Sequence, residues 1–187
     1  MSSATSITLG LIEEGIAARA HFQVWWTLRN LALPKYLSTM NNLDYVDFFH
    51  ASNAGHYKLF LLALAKIFDR DDRVAGLREL RKALRVEGRA DLARCIAKQL
   101  KPIEPMVKSI MQIRNRSLVH NEHSLSRKQV YRLNGITPNQ IRIVIDVACN
   151  VINCTARELG ISNTIFESNR LEAATINMLE KLRRADA

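Results

Sequence analysis

The sequence predicts an all-α protein, and two observations support this prediction. Apolar residues recur with the 3.6-residue period of a helix in almost every segment, without the strict alternation typical of strands. Helix breakers and capping residues also divide the chain into stretches of helical length. No internal repeat is present. A length of 187 residues favours a single domain over residues 1–187, with a core at about 8–160 and a C-terminal helical extension at about 164–185.

The first two long helices supply much of the predicted core. We expect a helix from about Thr8 to Leu33 that ends at Pro34, because proline cannot continue a helix. Asn41–Asp44 offers caps for a second helix. Its stretch Tyr57–Phe68 is apolar on nearly every side and is therefore predicted to lie in the middle of a bundle. The residues expected on the buried side of the first helix are Ile12, Ile16, Phe22, Trp25, Trp26 and Leu28.

The middle of the chain predicts two shorter basic helices, at about Val74–Val86 and Ala90–Leu100, separated at Gly88. An acidic run, Asp69–Arg73, precedes them. Because this run lacks the glycine and the terminal glutamate of a calcium loop, we interpret it as helix capping with local ion pairs.

A helix that follows Pro102 and Pro105 leads into a polar loop. The two prolines suit a helix entrance, and the helix is expected to end near His120–His123. Ser124–Gly135 is predicted to be a loop long enough to suggest a functional role. The apolar residues expected along this helix are Met106, Ile110, Ile113 and Leu118.

The last two helices have clearer signals. Thr137 is predicted to be an N-cap, Pro138 suits the first turn, and Gln140 completes a capping box, so a helix begins here and ends at Gly160. A final helix is expected at about Thr164–Arg184. Its apolar stripe is narrow, so it packs on the rim of the bundle or pairs with another chain. The predicted stripe contains Leu171, Ala174, Met178 and Leu182.

The charge of the chain indicates an anionic partner. The formal net charge is +9, from 27 Lys and Arg against 18 Asp and Glu, and the sequence pI is about 9.8. Eight of the basic residues and only two of the acids lie between Lys101 and Arg142. Such a segment is typical of proteins that bind a polyanion, although an ordinary solvated surface would have the same composition.

Cysteine usage and hydropathy point to a soluble, cytoplasmic protein. Cys95, Cys149 and Cys154 form an odd number without CxxC spacing, which argues against a disulfide framework and a zinc ribbon. We therefore interpret them as small buried hydrophobic residues. The N-terminus lacks the features of a secretory signal, and no apolar run is long enough to cross a membrane.

Most enzyme classes lack support, because the sequence has no glycine-rich phosphate loop, no HExxH, no nucleophile-elbow serine and no carboxylate pair in an apolar setting. The stretch Ile113–His123 remains, with the sequence IRNRSLVHNEH. It combines the groups needed for RNA cleavage without a metal. A histidine near neutrality would move a proton to or from the ribose 2′-OH or the leaving oxygen, and an arginine would stabilise the phosphorane.

The spacing within this stretch leaves its geometry open. Six residues turn a helix by about 240°, so Arg114 and His120 do not share a helix face, whereas Arg116 and His120 do. An unwound helix end, or a second copy across a dimer interface, would bring Arg114 and His120 together. This split of faces and the narrow stripe of the last helix predict a homodimer.

The same residues also have simpler structural interpretations. His120 could favour the dipole at the end of a helix. Arg114 could form a surface ion pair, although no acid lies three or four residues away. A metal site of His120, Glu122 and His123 is disfavoured by the missing fourth ligand. Trp25 and Trp26 could stack on bases, but adjacent tryptophans in a helix favour a core position.

The same stretch resembles the signature of HEPN (higher eukaryotes and prokaryotes nucleotide-binding) domains, in which an arginine and a polar residue precede a histidine near the end of a late core helix. The upstream sequence HYKLFLLALAKIFDRDDRVAGLREL is similar to the second-helix region of the abortive-infection AbiU-type branch. In that branch an apolar helix closes with Phe-Asp and leads into a basic helix. The resemblance covers about residues 10–160.

The resemblance implies an up-and-down bundle of four to five core helices with additional short helices and a C-terminal helix. It further implies a homodimer and a metal-independent endoribonuclease, without a cofactor, that leaves cyclic-phosphate ends. It places the protein in a toxin–antitoxin or antiphage system with an antitoxin or other neutralising partner. The implied catalytic residues are Arg114, Asn115 and His120. Charge alone adds Arg116, His123, Arg127 and Lys128 as RNA contacts. A basic module that binds nucleic acid or a protein without cleavage is the alternative.

Overall fold

The structure is a computed structural model and describes residues 3–115, 135–162, 164–165 and 168–185. Within these ranges it is helical and contains no strand, which confirms the all-α prediction. The α-helices are α1 (Ala4–Trp26), α2 (Leu33–Met40), α3 (Val46–Ile67), α4 (Leu77–Val86), α5 (Ala90–Leu100), α6 (Glu104–Arg114), α7 (Pro138–Glu158) and α8 (Arg170–Ala185). A π-helical turn spans Thr27–Leu31, and a 3-10 turn spans Lys101–Ile103.

The chain divides into two compact units. The first unit combines Met1–Ala18 with Leu61–Ile165, and the second combines Arg19–Phe60 with Phe166–Ala187. The first half of α1 and the end of α3 thus belong to the first unit, together with α4 to α7. The expectation of a single domain over residues 1–187 stays a prediction.

The core of the first unit is formed by aliphatic side chains. α5 packs against α4 and α7, and α6 packs against α7. Burying these side chains removes apolar surface from water, at about 25 cal/mol per Å², and this burial is the main source of stability for helices of ten or eleven residues. The largest buried side chains of this unit are Leu11, Leu61, Leu64, Ile67, Leu80, Leu84, Ile96, Ile110, Ile113, Ile141 and Ile145.

The start of α7 confirms the predicted capping box. The Thr137 hydroxyl accepts a hydrogen bond from the backbone N–H of Gln140 at 3.3 Å. The Gln140 side chain in turn accepts one from the backbone N–H of Thr137 at 2.7 Å. These two bonds satisfy donors that a helix N-terminus otherwise leaves free. The helix ends at Glu158, and Gly160 adopts a φ of 71°, which glycine tolerates best.

A short segment after α7 packs against α1 at a glycine. The Asn153 side chain accepts a hydrogen bond from the N–H of Ile165 at 2.7 Å and donates one to its carbonyl at 2.8 Å. Ile165 is thereby held against Gly15, where an added Cβ would lie 2.3 Å from the Ile165 Cδ1 atom. Position 15 therefore has no room for a side chain without movement of Ile165.

The second unit contains a carboxylate that joins two helices and an aromatic cluster of Phe22, Trp25, Tyr57 and Phe60. α8 packs against α2 and the π-helical turn. Glu180 of α8 accepts a hydrogen bond from the Tyr36 hydroxyl at 2.9 Å and lies 3.1 Å from the Lys35 ammonium. Arg183 contacts the other carboxylate oxygen at 2.9 Å. Bonds from Arg183, Lys35 and Tyr36 hold the pKa of Glu180 well below its usual range.

The predicted bounds of the first helix are wrong at both ends. It begins at Ala4, and its α-helical part ends at Trp26. Pro34 does not stop it but lies in the first turn of α2, where the missing N–H of proline costs nothing. Of the predicted buried residues, Ile16 is 48% exposed, and Trp26 is half-buried.

Three further boundaries or faces differ from prediction. Leu59 and Leu62 of α3 are exposed, so this helix has a solvent face. α4 begins at Leu77 because the backbone of Gly76 before it is extended, with a φ of −95° and a ψ of 179°. α8 begins at Arg170, after the expected start at Thr164.

The buried face of α8 is not the predicted stripe. Thr175 and Leu179 are buried, whereas Leu171, Ala174 and Met178 are exposed. Leu182 is half-buried and packs against the apolar core of the second unit. Leu179 packs in the apolar core of the second unit with Tyr36 and Met40, and Glu180 contacts Tyr36 and Lys35, so this side of α8 faces α2.

Candidate functional site

Arg114 is held at the end of α6 by the packing of that helix. Ile110 and Ile113 are buried in the first unit, and α6 packs against α7. Ile113 directly precedes Arg114, so the Arg114 side chain starts at the edge of the buried face of α6. Arg114 is itself half-buried. Met106, further back on the same helix, is also half-buried. The aliphatic contacts therefore fix the origin of the Arg114 side chain.

The Arg114 guanidinium has an unused donor. Its Nε atom is buried and has no hydrogen-bond partner in the part of the chain that the structure describes. A buried donor without a partner costs about 1–3 kcal/mol, which a phosphate oxygen would recover through a charge-assisted hydrogen bond.

Asn115 follows with its side chain exposed. Its φ of −61° and ψ of −46° are still helical, and its backbone N–H donates to the carbonyls of Met111 and Gln112. The structure therefore places a half-buried cation and an exposed amide side by side at one helix end. An amide can hold a phosphate oxygen or orient a neighbouring group, so both side chains suit an anionic ligand.

The other predicted site residues cannot be compared with the structure. Arg116, His120, His123, Arg127 and Lys128 lie outside the described residues, as do the predicted helix end near His120–His123 and nearly all of the loop Ser124–Gly135. Of the implied catalytic set, Arg114 and Asn115 are therefore the two whose positions the structure gives. Among the described residues, no group of three or more His, Cys, Asp or Glu side chains could hold a metal ion.

Other side chains that the sequence singled out have structural positions. The rings of Trp25 and Phe60 have centroids 5.3 Å apart in the core of the second unit. Asp71 pairs with Arg73 at 2.6 Å, in agreement with the interpretation of the acidic run as local ion pairs. The interpretation of the cysteines as buried residues is right for Cys149. It is wrong for Cys95 and Cys154, which are exposed on helices α5 and α7.

A pair of histidines in the second unit was missed by the sequence analysis. The Nδ1 atoms of His21 and His56 lie 2.9 Å apart, so one ring donates to the other. Burial lowers the pKa of His21. Burial and the charge of His21 lower the pKa of His56. No local signal could have found this pair, because the two residues are 35 positions apart and come from different helices.

This pair predicts a loss of stability on mild acidification. Both pKa values are below the usual 6.5 in the folded protein, so the unfolded chain binds more protons as the pH falls through that value. The contribution is fully present above the unfolded value of 6.5 and is lost as the pH falls through the lowered pKa values of the folded protein. We expect the urea midpoint to fall over this range, and to fall less in His56→Gln. An equal fall in both proteins would exclude the pair as its cause.

The comparisons with known proteins agree with this architecture. The described residues are helical and contain no strand, as expected of an all-α HEPN-like protein. The family model HEPN_AbiU2, described as AbiU2, matches residues 4–175. The chain belongs to this family and is an abortive-infection HEPN-like module, which confirms the resemblance carried by its sequence. No curated protein and no solved structure gives a significant match. None of the described helices has the length and apolar character that a membrane crossing needs.

Proposed function

We propose that this protein is a metal-independent endoribonuclease of the HEPN type that acts in abortive infection or a toxin–antitoxin system. The observation that carries the proposal is Arg114 at the end of α6, with a buried Nε donor that lacks a hydrogen-bond partner among the described residues. Membership of the AbiU2 family supports it, and the net charge of +9 suits an RNA substrate.

In the proposed reaction, the ribose 2′-OH attacks the adjacent phosphorus and loses its proton, and the bond to the 5′ oxygen breaks as that oxygen gains a proton. The products are a 2′,3′-cyclic phosphate and a 5′-hydroxyl end. His120 moves a proton at one of these two oxygens, and the Arg114 guanidinium stabilises the extra charge on the phosphorane. Asn115 orients the phosphate, and Arg116, His123, Arg127 and Lys128 contact the RNA strand.

We further propose that the active form is a homodimer. Arg114 and His120 do not share a face of a continuous helix, and a second copy would bring two such helix ends to one phosphate. A neutralising partner protein that covers this surface is part of the same proposal. A protein that sediments as a monomer at the concentration of the assay and is fully active would contradict the composite site.

The test is cleavage of single-stranded and structured RNA by the purified full chain in EDTA. The reference is the double variant Arg114→Ala, His120→Ala, prepared in parallel so that contaminating nuclease is measured. We expect fragments with cyclic-phosphate ends from the wild type only. If both proteins leave RNA intact but bind it with the same salt-sensitive affinity, the protein is instead a basic binding module.

A further inference from the structure

A second group of cations lines a cavity in the first unit. The cavity has a volume of about 390 Å³ and lies between the end of α3 and helices α4, α5 and α6. This volume is within the range of about 300–1,000 Å³ that is usual for small-ligand sites. Apolar wall is supplied by residues such as Phe68, Leu77 and Leu100. The charged lining residues are Arg70, Arg78, Arg81 and Lys101, with Asp69 and Glu104.

The two carboxylates do not neutralise the four cations. Among the described residues, none of these cations forms an ion pair with Asp69 or Glu104. Asp69 accepts a hydrogen bond from the backbone N–H of Asp71, and the Arg78 guanidinium donates to the carbonyl of Arg70. The cavity is therefore lined by an excess of positive charge.

Arg81 is the most buried of these four cations. It is half-buried, and its Nε atom is buried without a hydrogen-bond partner in the described part of the chain. Leu77, Leu80 and Leu84 are buried on the same helix, so Arg81 leaves α4 at the edge of its packed face. A guanidinium in this position offers two parallel N–H donors, which match the oxygens of a phosphate.

The cavity is separate from the Arg114 site. Glu104, which lines the cavity, is the first residue of α6, and Arg114 is the last. Eleven helical residues rise by about 15 Å, so Glu104 at the cavity and Arg114 lie at opposite ends of this helix. The cavity is therefore a different site from the one that holds Arg114.

We propose that this cavity binds a phosphate monoester, with the phosphate on Arg81 and its neighbouring cations and the organic part of the ligand against Phe68 and the apolar wall. A monoester carries up to two negative charges, which suits a cavity with more cations than carboxylates. The phosphate has two chemical sources, a free mononucleotide or the 5′-phosphorylated end of an RNA strand, and binding measurements distinguish them.

The probes are adenosine 5′-monophosphate and two RNA oligonucleotides of identical sequence, one with a 5′-phosphate and one with a 5′-hydroxyl, titrated into the full chain by calorimetry. Arg81→Gln is compared with Arg85→Gln, which removes the same charge one turn away on an exposed part of α4 outside the cavity lining. We expect Arg81→Gln to weaken binding of the phosphate probe at least tenfold, and Arg85→Gln to change it less than twofold.

Each outcome either supports or overturns the proposal, and a supporting outcome also identifies the source of the phosphate. Binding of the mononucleotide that depends on Arg81 supports a small-molecule site. If the mononucleotide does not bind, an Arg81-dependent preference for the 5′-phosphorylated oligonucleotide supports recognition of an RNA end. Absence of both, or equal weakening by Arg81→Gln and Arg85→Gln, overturns the proposal. If Arg81→Gln does not fold, Lys101→Gln, an exposed cavity residue, is used by the same criteria.

Discussion

Replacing Arg114 with alanine is expected to lower the rate of RNA cleavage by about 10²–10³-fold, the usual cost of one preorganised donor to a developing oxyanion. The side chain begins on a helix anchored by Ile110 and Ile113, so its position is set before substrate arrives. Arg114→Lys keeps the charge but loses the planar pair of donors, and it should recover only part of the activity. The measurement is the single-turnover cleavage rate with saturating protein.

Lys108→Ala is the matched control, because it removes one positive charge from an exposed position on the same helix. We expect it to weaken RNA binding slightly and to leave the saturated cleavage rate unchanged. Thermal unfolding of all three variants shows whether each one is folded. A folded Arg114→Ala protein that cleaves at the wild-type rate would remove Arg114 from the proposed mechanism.

The largest loss of stability is expected for Phe60→Ala. Phe60 is fully buried, and its ring packs edge-on against Phe22 and Tyr57, with centroids 5.5 and 5.4 Å apart. Removing a buried aromatic ring costs about 3–5 kcal/mol, because apolar burial is lost and a cavity remains. We expect this decrease in the free energy of unfolding from urea denaturation.

Phe48→Ala provides the comparison, since Phe48 is on the same helix but 59% exposed. Its side chain is already largely in water, so the loss should be below about 1 kcal/mol. Similar losses for both variants would show that the aromatic cluster is not a main source of stability. A decrease in the midpoint of Phe60→Ala without a change in the slope would assign the effect to stability alone.

Local chemistry explains which parts of the fold could be predicted. The helix start at Thr137 was predictable because the N-cap, the proline and Gln140 act within four residues. Pro34 was misread because proline is equally compatible with the end of one helix and the first turn of the next. The buried face of α8 was missed for a different reason. Glu180 contacts Tyr36, which is 144 residues away in the sequence, and a periodic pattern within one helix cannot contain that information.

The candidate functional residues were likewise only partly predictable from the sequence. Arg114 and Asn115 were found because a short motif lies within one segment, and the structure gives both positions. The cavity around Arg81 was not found, because its cations come from three segments of the chain and only their assembly makes them one group. A pattern of cations beside buried leucines on α4 was visible, but it is also typical of a solvated basic helix.

The contact of Gly15 with the end of the first unit has a consequence for folding during synthesis. The Cys149 thiol donates to the Gly15 carbonyl across a separation of 134 residues, and Ile165 closes over the same glycine. Contacts between positions so distant form late, because the loop between them must first be closed. The first half of α1 is therefore synthesised before these partners and cannot complete its native packing until α7 and Ile165 have followed. Until then its apolar face is available to chaperones.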